Sequence, residues 1–210
     1  MVERRRWPVR LRNGPVGLRP LGLADRAAWD GLRDRNAVWT GRWDSTLPPG
    51  SQEEPYSFTA MVRSFNKAAR EGRMLPWGIT VQPEVRPEQL VGQMTISGIA
   101  YGAACWAQAG YWIDEQWAGR GIVPLALAMA GDHVFGTLRL HRLEVAIRPE
   151  NRNSLRVVRK LGFRYEGERT AYLHVDGAWR DHSMFALHSD EIGPGGLVGR
   201  LALPTTFSDG

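Results

Sequence analysis

The chain has little of what would place it outside the cell or in a membrane. It has one cysteine, Cys105, so no internal disulfide can form. It has no run of about 18 consecutive apolar residues, so no membrane span is expected. The N-terminal stretch MVERRRWPVR is charged but has no apolar segment behind it, so it does not read as a secretory signal. Together these absences point to a cytoplasmic protein. Lysine is scarce, with only Lys67 and Lys160 among 27 basic residues. No acidic side chain lies close to the Gly119-Arg120-Gly121 triplet, and no internal repeat at a fixed period is visible.

What remains is ordinary globular composition. The 210 residues are 43% hydrophobic and 23% charged, enough for one domain with trimmings. The net charge of +5 permits an acidic ligand such as a phosphate, and equally fits arginines scattered over a solvated surface. The densest cluster, Arg4, Arg5, Arg6, Arg10 and Arg12, reads as a frayed terminus. Aromatics are not interleaved with the arginines, so nucleic acid is not the expected ligand.

Residues 9–21 read as two short strands about an Asn-Gly turn, with Val9, Leu11, Val16 and Leu18 alternating. Asp25 can cap a short helix carrying Ala28, Trp29 and Leu32. Residues 40–56 are rich in Pro, Gly, Ser and Glu and read as a long loop. Phe58, Met61, Val62, Phe65, Ala68 and Ala69 follow helical spacing over 57–72, with Gly72 closing the helix. Strands over 75–82, 90–100 and 105–113 read as an antiparallel meander. From 122 the period becomes 3.6, and Ile122, Leu125, Ala126, Met129, His133 and Val134 share one face of an amphipathic helix. Pro124 sits in its first turn, where the missing N–H costs nothing. A strand over 141–149, a short helix opened by Ser154 and ended by Gly162, and a hairpin about Asp176-Gly177 complete a domain over 1–188. Residues 189–210 read as an extended or partly disordered tail. The order is β–α–α–β–β–β–α–β–α–β–β, a mixed α/β sheet.

The informative stretch is EQWAGRGI, at the junction of a strand and the helix from 122. A helix N-terminus offers unpaired N–H groups and about half a positive charge. Gly119 and Gly121 let an anion approach the backbone, and Arg120 adds a formal charge. The plainer alternative is a tight turn that needs glycine only for positive φ. A phosphate-binding P-loop is excluded, because Ile122-Val123 stand where Lys-Ser/Thr would be. A dinucleotide fingerprint is excluded by Pro124 and by the antiparallel strands before it.

Gln116-Trp117-Ala118-Gly119-Arg120-Gly121 resembles the Q/R-x-x-G-x-G/A signature of the Gcn5-related N-acetyltransferases. ENRNSLRVVRKLGFRYEGE is similar to the N-x-x-S…K-L-G-F…G segment of the RimJ/RimL branch, the N-terminal acetyltransferases of ribosomal proteins. Asn151, Ser154, Lys160, Leu161, Gly162, Phe163 and Gly167 carry that match. The resemblance is strong over about 90–187 and looser over 8–90, where the order of elements still fits.

The resemblance implies a mostly antiparallel sheet of about seven strands, flanked by about four helices. A splay is implied between the strand over 105–113 and the strand over 141–149. It implies acetyl-CoA as co-substrate and no metal. Backbone groups of Gln116, Trp117, Ala118, Gly119, Arg120, Gly121 and Ile122 would hold the pyrophosphate. Groups near Trp112 and Ile113 would pair with the pantetheine arm like an added strand. Ser154 would protonate the departing thiolate, with a helix N-cap as its alternative role. Asn151 would orient the cofactor or Ser154. Glu144 stands where some relatives have a catalytic glutamate; its alternative is an ion pair with an arginine. Other relatives place a glutamate before the hairpin turn, and here that position is Leu173, a departure from the pattern. Tyr172 and His174 flank it but alternation turns them to the other face, and Glu166 and Glu168 read as solvated.

On the acceptor side the resemblance points to the 40–56 loop. Trp43 and Tyr56 are candidate substrate contacts, with Tyr172. Asp44, Glu53 and Glu54 would attract an ammonium; the alternative is a satellite aromatic cluster with solvated acids. The implied acceptor is the α-amine of a ribosomal or other protein, which places the enzyme near the ribosome. A small amine, such as an amino acid, polyamine, aminoglycoside or toxin, is the second reading, and a non-catalytic CoA-binding module the third. A homodimer is common in relatives, and nothing in the chain itself establishes one.

Overall fold

The turn Asn13-Gly14 works because Gly14 takes φ +53, and it joins β1 (Leu11–Asn13) to β2 (Val16–Pro20). The computed structural model describes residues 7–52, 56–82 and 87–201. After β2 come α1 (Arg26–Arg35), α2 (Ala37–Gly41) and α3 (Phe58–Arg70). The meander follows as β3 (Leu75–Val81), β4 (Gln89–Ala100) and β5 (Trp106–Ile113). Then come α4 (Ile122–Gly136), β6 (Arg142–Ile147), α5 (Arg152–Lys160), β7 (Arg164–Val175) and β8 (Ala178–His188). The eight strands form one sheet in the order β1-β2-β3-β4-β5-β6-β8-β7. Every pairing is antiparallel except β5 with β6. The sheet thus has eight strands and five α-helices among the described residues, one of each more than expected; α2 begins just ahead of the predicted loop.

Alternation along β3 sorts the two faces of the sheet. Trp77, Ile79 and Val81 point toward α4 and share its core with Leu125, Ala126 and Val134. On the other face, Gly78 leaves room for Leu21 and Leu90, whose side chains a Cβ would strike at 2.9 and 2.6 Å. There Trp29 and Leu32 of α1 meet Phe58 and Val62 of α3 in a second cluster. The i, i+4 spacing of Phe58 and Val62 supplies that face. Ser57 caps α3 by accepting from the Ala60 amide at 3.3 Å, and Gly72, at φ +72, follows its last turn.

Two expectations need correction. The helix α4 is not amphipathic: Leu127, Ala128 and Ala130 are as buried as Leu125 and Ala126. The reason is the segment beyond β8, which is not an extended tail over 189–201. It turns through two short 3-10 helices and lies across α4. Asp132 accepts from the Leu197 and Val198 amides at 2.6 and 3.1 Å, and Leu197 is fully buried over Gly131. Arg200 then donates to the Leu161 carbonyl at 2.7 Å. Periodicity over 122–136 could not show a second apolar partner that arrives some 60 residues later in the chain. Residues 202–210 lie outside the described residues.

Candidate active site

The strands β5 and β6 pair only between Trp106–Gln108 and Arg142–Glu144. Beyond that point β5 stays with β4 as far as Ile113, while β6 stays with β8. The sheet splits, and a cleft of about 920 Å³ opens in the gap. That volume lies at the upper end of small-molecule sites.

One end of the cleft is the loop between β5 and α4. Gly119 and Gly121 have φ +77 and +78, the left-handed region where a side chain is strained. A Cβ at Gly119 would meet nothing within 4 Å, so the glycine serves conformation and access rather than packing. The first turn of α4 leaves backbone amides without intrahelical acceptors, and they belong to cleft-lining Ile122 and Val123; Pro124 has none to leave. Arg156 and Lys160 of α5 line the same cleft and add positive charge. Trp117 and Ala118 line it too, whereas Gln116 and Arg120 are exposed and do not. The Arg120 guanidinium lies 5.0 Å from the Trp117 ring centroid, so its charge sits beside the rim.

This loop is anchored by a network that the sequence did not advertise. Asp114 is 1% exposed and accepts from Arg35 Nη2 at 2.6 Å, Asn36 Nδ2 at 3.0 Å and the Gln116 amide at 3.3 Å. Burial alone would raise its pKa, but Arg35, Asn36 and the Gln116 amide together hold it below the usual carboxylate value. Asn36 in turn accepts from the Glu115 amide at 2.9 Å. The β5–α4 loop is therefore bolted to the end of α1.

At the middle of the cleft, Asn151 and Ser154 divide the two roles expected of Ser154. The cap of α5 is Asn151, whose Oδ1 accepts from the Ser154 amide at 3.0 Å. Ser154 is not the N-cap; it lines the cleft, and its side chain is hydrogen-bonded with Tyr111. Tyr111 donates its hydroxyl to the Ser154 carbonyl at 3.5 Å. Burial pushes the Tyr111 pKa up, so that hydroxyl keeps its proton. Trp112 and Ile113 line the cleft as expected. The Ile113 carbonyl, however, already accepts from Trp39 Nε1 at 3.1 Å.

The acceptor end differs from expectation. Glu144 is not brought to the cleft. Its carboxylate accepts from Arg142 Nε at 2.7 Å and lies 3.8 Å from Arg169. The carboxylate is held between two guanidiniums, and the ion-pair alternative describes it. Tyr172 also stays out of the cleft, packed edge-on to His182 at 5.8 Å and beneath the Arg169 guanidinium at 4.9 Å. Tyr56 is 68% exposed and outside the cleft. Glu53 and Glu54 lie outside the described residues. Glu166, read as solvated, pairs with Arg142, which holds its pKa down.

Leu173 does line the cleft, with Trp43, Asp44 and His182. The segment around Trp43 reaches this wall by docking on the β7–β8 hairpin. Ser45 bridges to Val175, and the Thr46 amide donates to the His174 carbonyl at 2.9 Å. Trp43 is stacked by Arg148, at 5.3 Å, and by Arg42, at 5.8 Å. Asp44 is paired with Arg33, so it is only partly available to an ammonium. His182, which sequence reasoning missed, is 4% exposed, and its Nδ1 lies 3.0 Å from the Arg180 carbonyl. Its only sequence signal is a histidine entering the apolar run Met184–Leu187.

The comparisons with known proteins agree with this geometry. Residues 16–164 match the acetyltransferase (GNAT) domain model. The structure of Mycobacterium smegmatis RimJ in complex with CoA-disulfide superposes with a TM-score of 0.82 at 37% identity, covering 92% of this chain and 93% of that one. The Escherichia coli ribosomal protein uS5 alanine N-acetyltransferase is 28% identical over 80% of this chain and 77% of its own length. The probable N-acetyltransferase YjcK of Bacillus subtilis is 35% identical over 48% of this chain, a match that spans only 55% of that relative. A split sheet, a glycine-rich loop at the start of a buried helix and a matched family model lead to one conclusion: the chain belongs to the GNAT acetyltransferase family.

Proposed function

We propose that this chain transfers the acetyl group of acetyl-CoA to the N-terminal α-amine of a protein, with a ribosomal protein as the leading acceptor. The observation that carries the reading is Ser154, which is not the cap of α5 and lines a cleft that joins the β5–α4 loop to the Leu173–His182 wall. The residues present fit coenzyme A. Amides of Gly121, Ile122 and Val123 face an anion, Arg156 and Lys160 supply countercharge, and the free edge of β5 flanks a long apolar arm. When bound, acetyl-CoA supplies an acyl group activated as a thioester. Ser154 Oγ holds the proton that the sulfur takes, and Asn151 fixes the first turn of α5 that presents it.

The acceptor follows from acidity as well as from relatives. An α-amine has a pKa of about 7.7–8.0 and lysine about 10.4. Deprotonation at pH 7 thus costs about 1 kcal/mol for the first and roughly 4–5 for the second. A site with Leu173 where a glutamate was expected suits the weaker base. The name of the Escherichia coli relative adds the ribosomal protein, and action there would make the enzyme cytoplasmic. Incubation with acetyl-CoA and a panel of N-terminal peptides, read by tandem mass spectrometry, is the test. Acetyl on the α-amine supports the reading. Acetyl only on lysine side chains or on small amines overturns it.

A further inference from the structure

The acceptor end of the cleft lacks the carboxylate expected before the hairpin turn, yet it holds a titratable group. His182 lies on β8 just past the end of β6, whose last paired residue is Ile147 opposite Ser183. The register puts His182, Met184 and Ala186 on one face, the face of Ala146 and Glu144. Glu144 lies opposite Ala186, four residues or about 13 Å along the strand from His182. The histidine is thus in the cleft where the acid is not.

Its tautomer follows from one contact. A carbonyl can only accept, so Nδ1 carries the proton and donates to the Arg180 carbonyl. In the neutral ring Nε2 then carries a lone pair, and it has no hydrogen-bond partner among the described residues. The groups around the ring are Tyr172 and Arg169 from β7, Arg148 and Glu150 beyond β6, Arg180 and Asp181 on its own strand, and Asp44 across the cleft. Burial, aided by Arg148, outweighs the Arg180 carbonyl, Asp181 and Glu150 and holds the imidazole below its ordinary 6.5, so it is mostly neutral at pH 7.

We propose that His182 is the general base of this enzyme, taking the proton of the acceptor ammonium on Nε2. The proposal rests on the N-terminal acetyltransferase reading. The ammonium proton passes to Nε2, which returns it to solvent. The nitrogen lone pair so released forms the C–N bond as the C–S bond breaks. A second proton from the same nitrogen replaces the one that Ser154 gives to the sulfur. No charge or atom is left over, and no further reactant is needed.

His182→Ala and His182→Gln should lower kcat/KM for an N-terminal peptide about 100-fold at pH 7. The deficit should shrink to less than about tenfold at pH 9, where the α-amine is already neutral. CoA binding by calorimetry should stay unchanged in both variants, which also shows that each has folded. Kinetics within threefold of the parent, or a deficit that does not shrink with pH, overturns the assignment. A separate readout needs no acceptor. NMR of the imidazole nitrogens in the free protein should show a neutral ring protonated on Nδ1 and titrating below 6.5. A ring charged at pH 7, or protonated on Nε2, overturns the proposal even where the parent acetylates α-amines. Parent enzyme that acetylates no α-amine would instead overturn the functional reading and this base with it.

Discussion

The two ends of the cleft are built in different ways. The donor end is one continuous stretch, Asp114–Val123, in which a strand, a turn and a helix follow each other along the chain. The acceptor end gathers Trp43 and Asp44 from one loop, Leu173 and Val175 from β7 and His182 from β8. On the proposed reading the donor end would bind a constant ligand with backbone amides, for which glycine and helix polarity suffice. The acceptor end must choose a partner and move a proton, so it depends on side chains brought together by the β7–β8 hairpin and the loop docked on it.

The widest effect should come from the junction of the two ends. Ser154→Ala is expected to lower kcat about 10²–10³-fold at saturating substrates. Calorimetry should show CoA affinity within about twofold of the parent, because Asn151 still caps α5. A kcat within threefold of the parent would show that the thiol leaves without help from this residue. Next is Asp114→Ala, which leaves one N–H of the buried Asn36 amide without its acceptor, the Leu32 carbonyl keeping the other, and costs about 1–3 kcal/mol in urea denaturation. The partly exposed Arg35 contributes little of this. The Asp114 pKa lies below its unfolded value, so its stabilisation is complete above about pH 4 and fades as pH falls through the folded value. Acid titration of Asp114→Asn should therefore lack part of the parent's slope below pH 4.

Gly121→Ala forces a side chain into φ +78, at about 1–2 kcal/mol. Part of that should appear as roughly tenfold weaker CoA binding. Unchanged affinity would mean that the loop's shape is not what grips the anion. The smallest effect is expected for Glu144→Gln. Its kcat/KM should stay within about threefold of the parent, against the 10² or more that loss of a general base brings. A larger loss would return Glu144 to the active site.

Legibility followed the same division. Gly119, Gly121 and Pro124 declare a helix start after a glycine turn, because the requirement is local in φ and N–H count. The Asn13-Gly14 and Asp176-Gly177 turns were equally plain. Glu144 misled, since strand alternation gives the face of a side chain but not its partners. Arg169 approaches it only through the β7–β8–β6 register. Ser154 does line the cleft, though which of two residues capped α5 waited on geometry. His182 was missed because one histidine in a strand has no pattern around it.

The sequence by itself determined the order of elements, the turns and the donor end of the cleft, for each depends on residues within a few positions of one another. Only the tertiary structure decided where β5 and β6 part, what covers α4 and which titratable groups line the cleft. Those outcomes depend on contacts between segments far apart in the chain, such as Asp132 with Leu197 and Thr46 with His174. Local propensity carries no record of such contacts, so they are settled when the core closes.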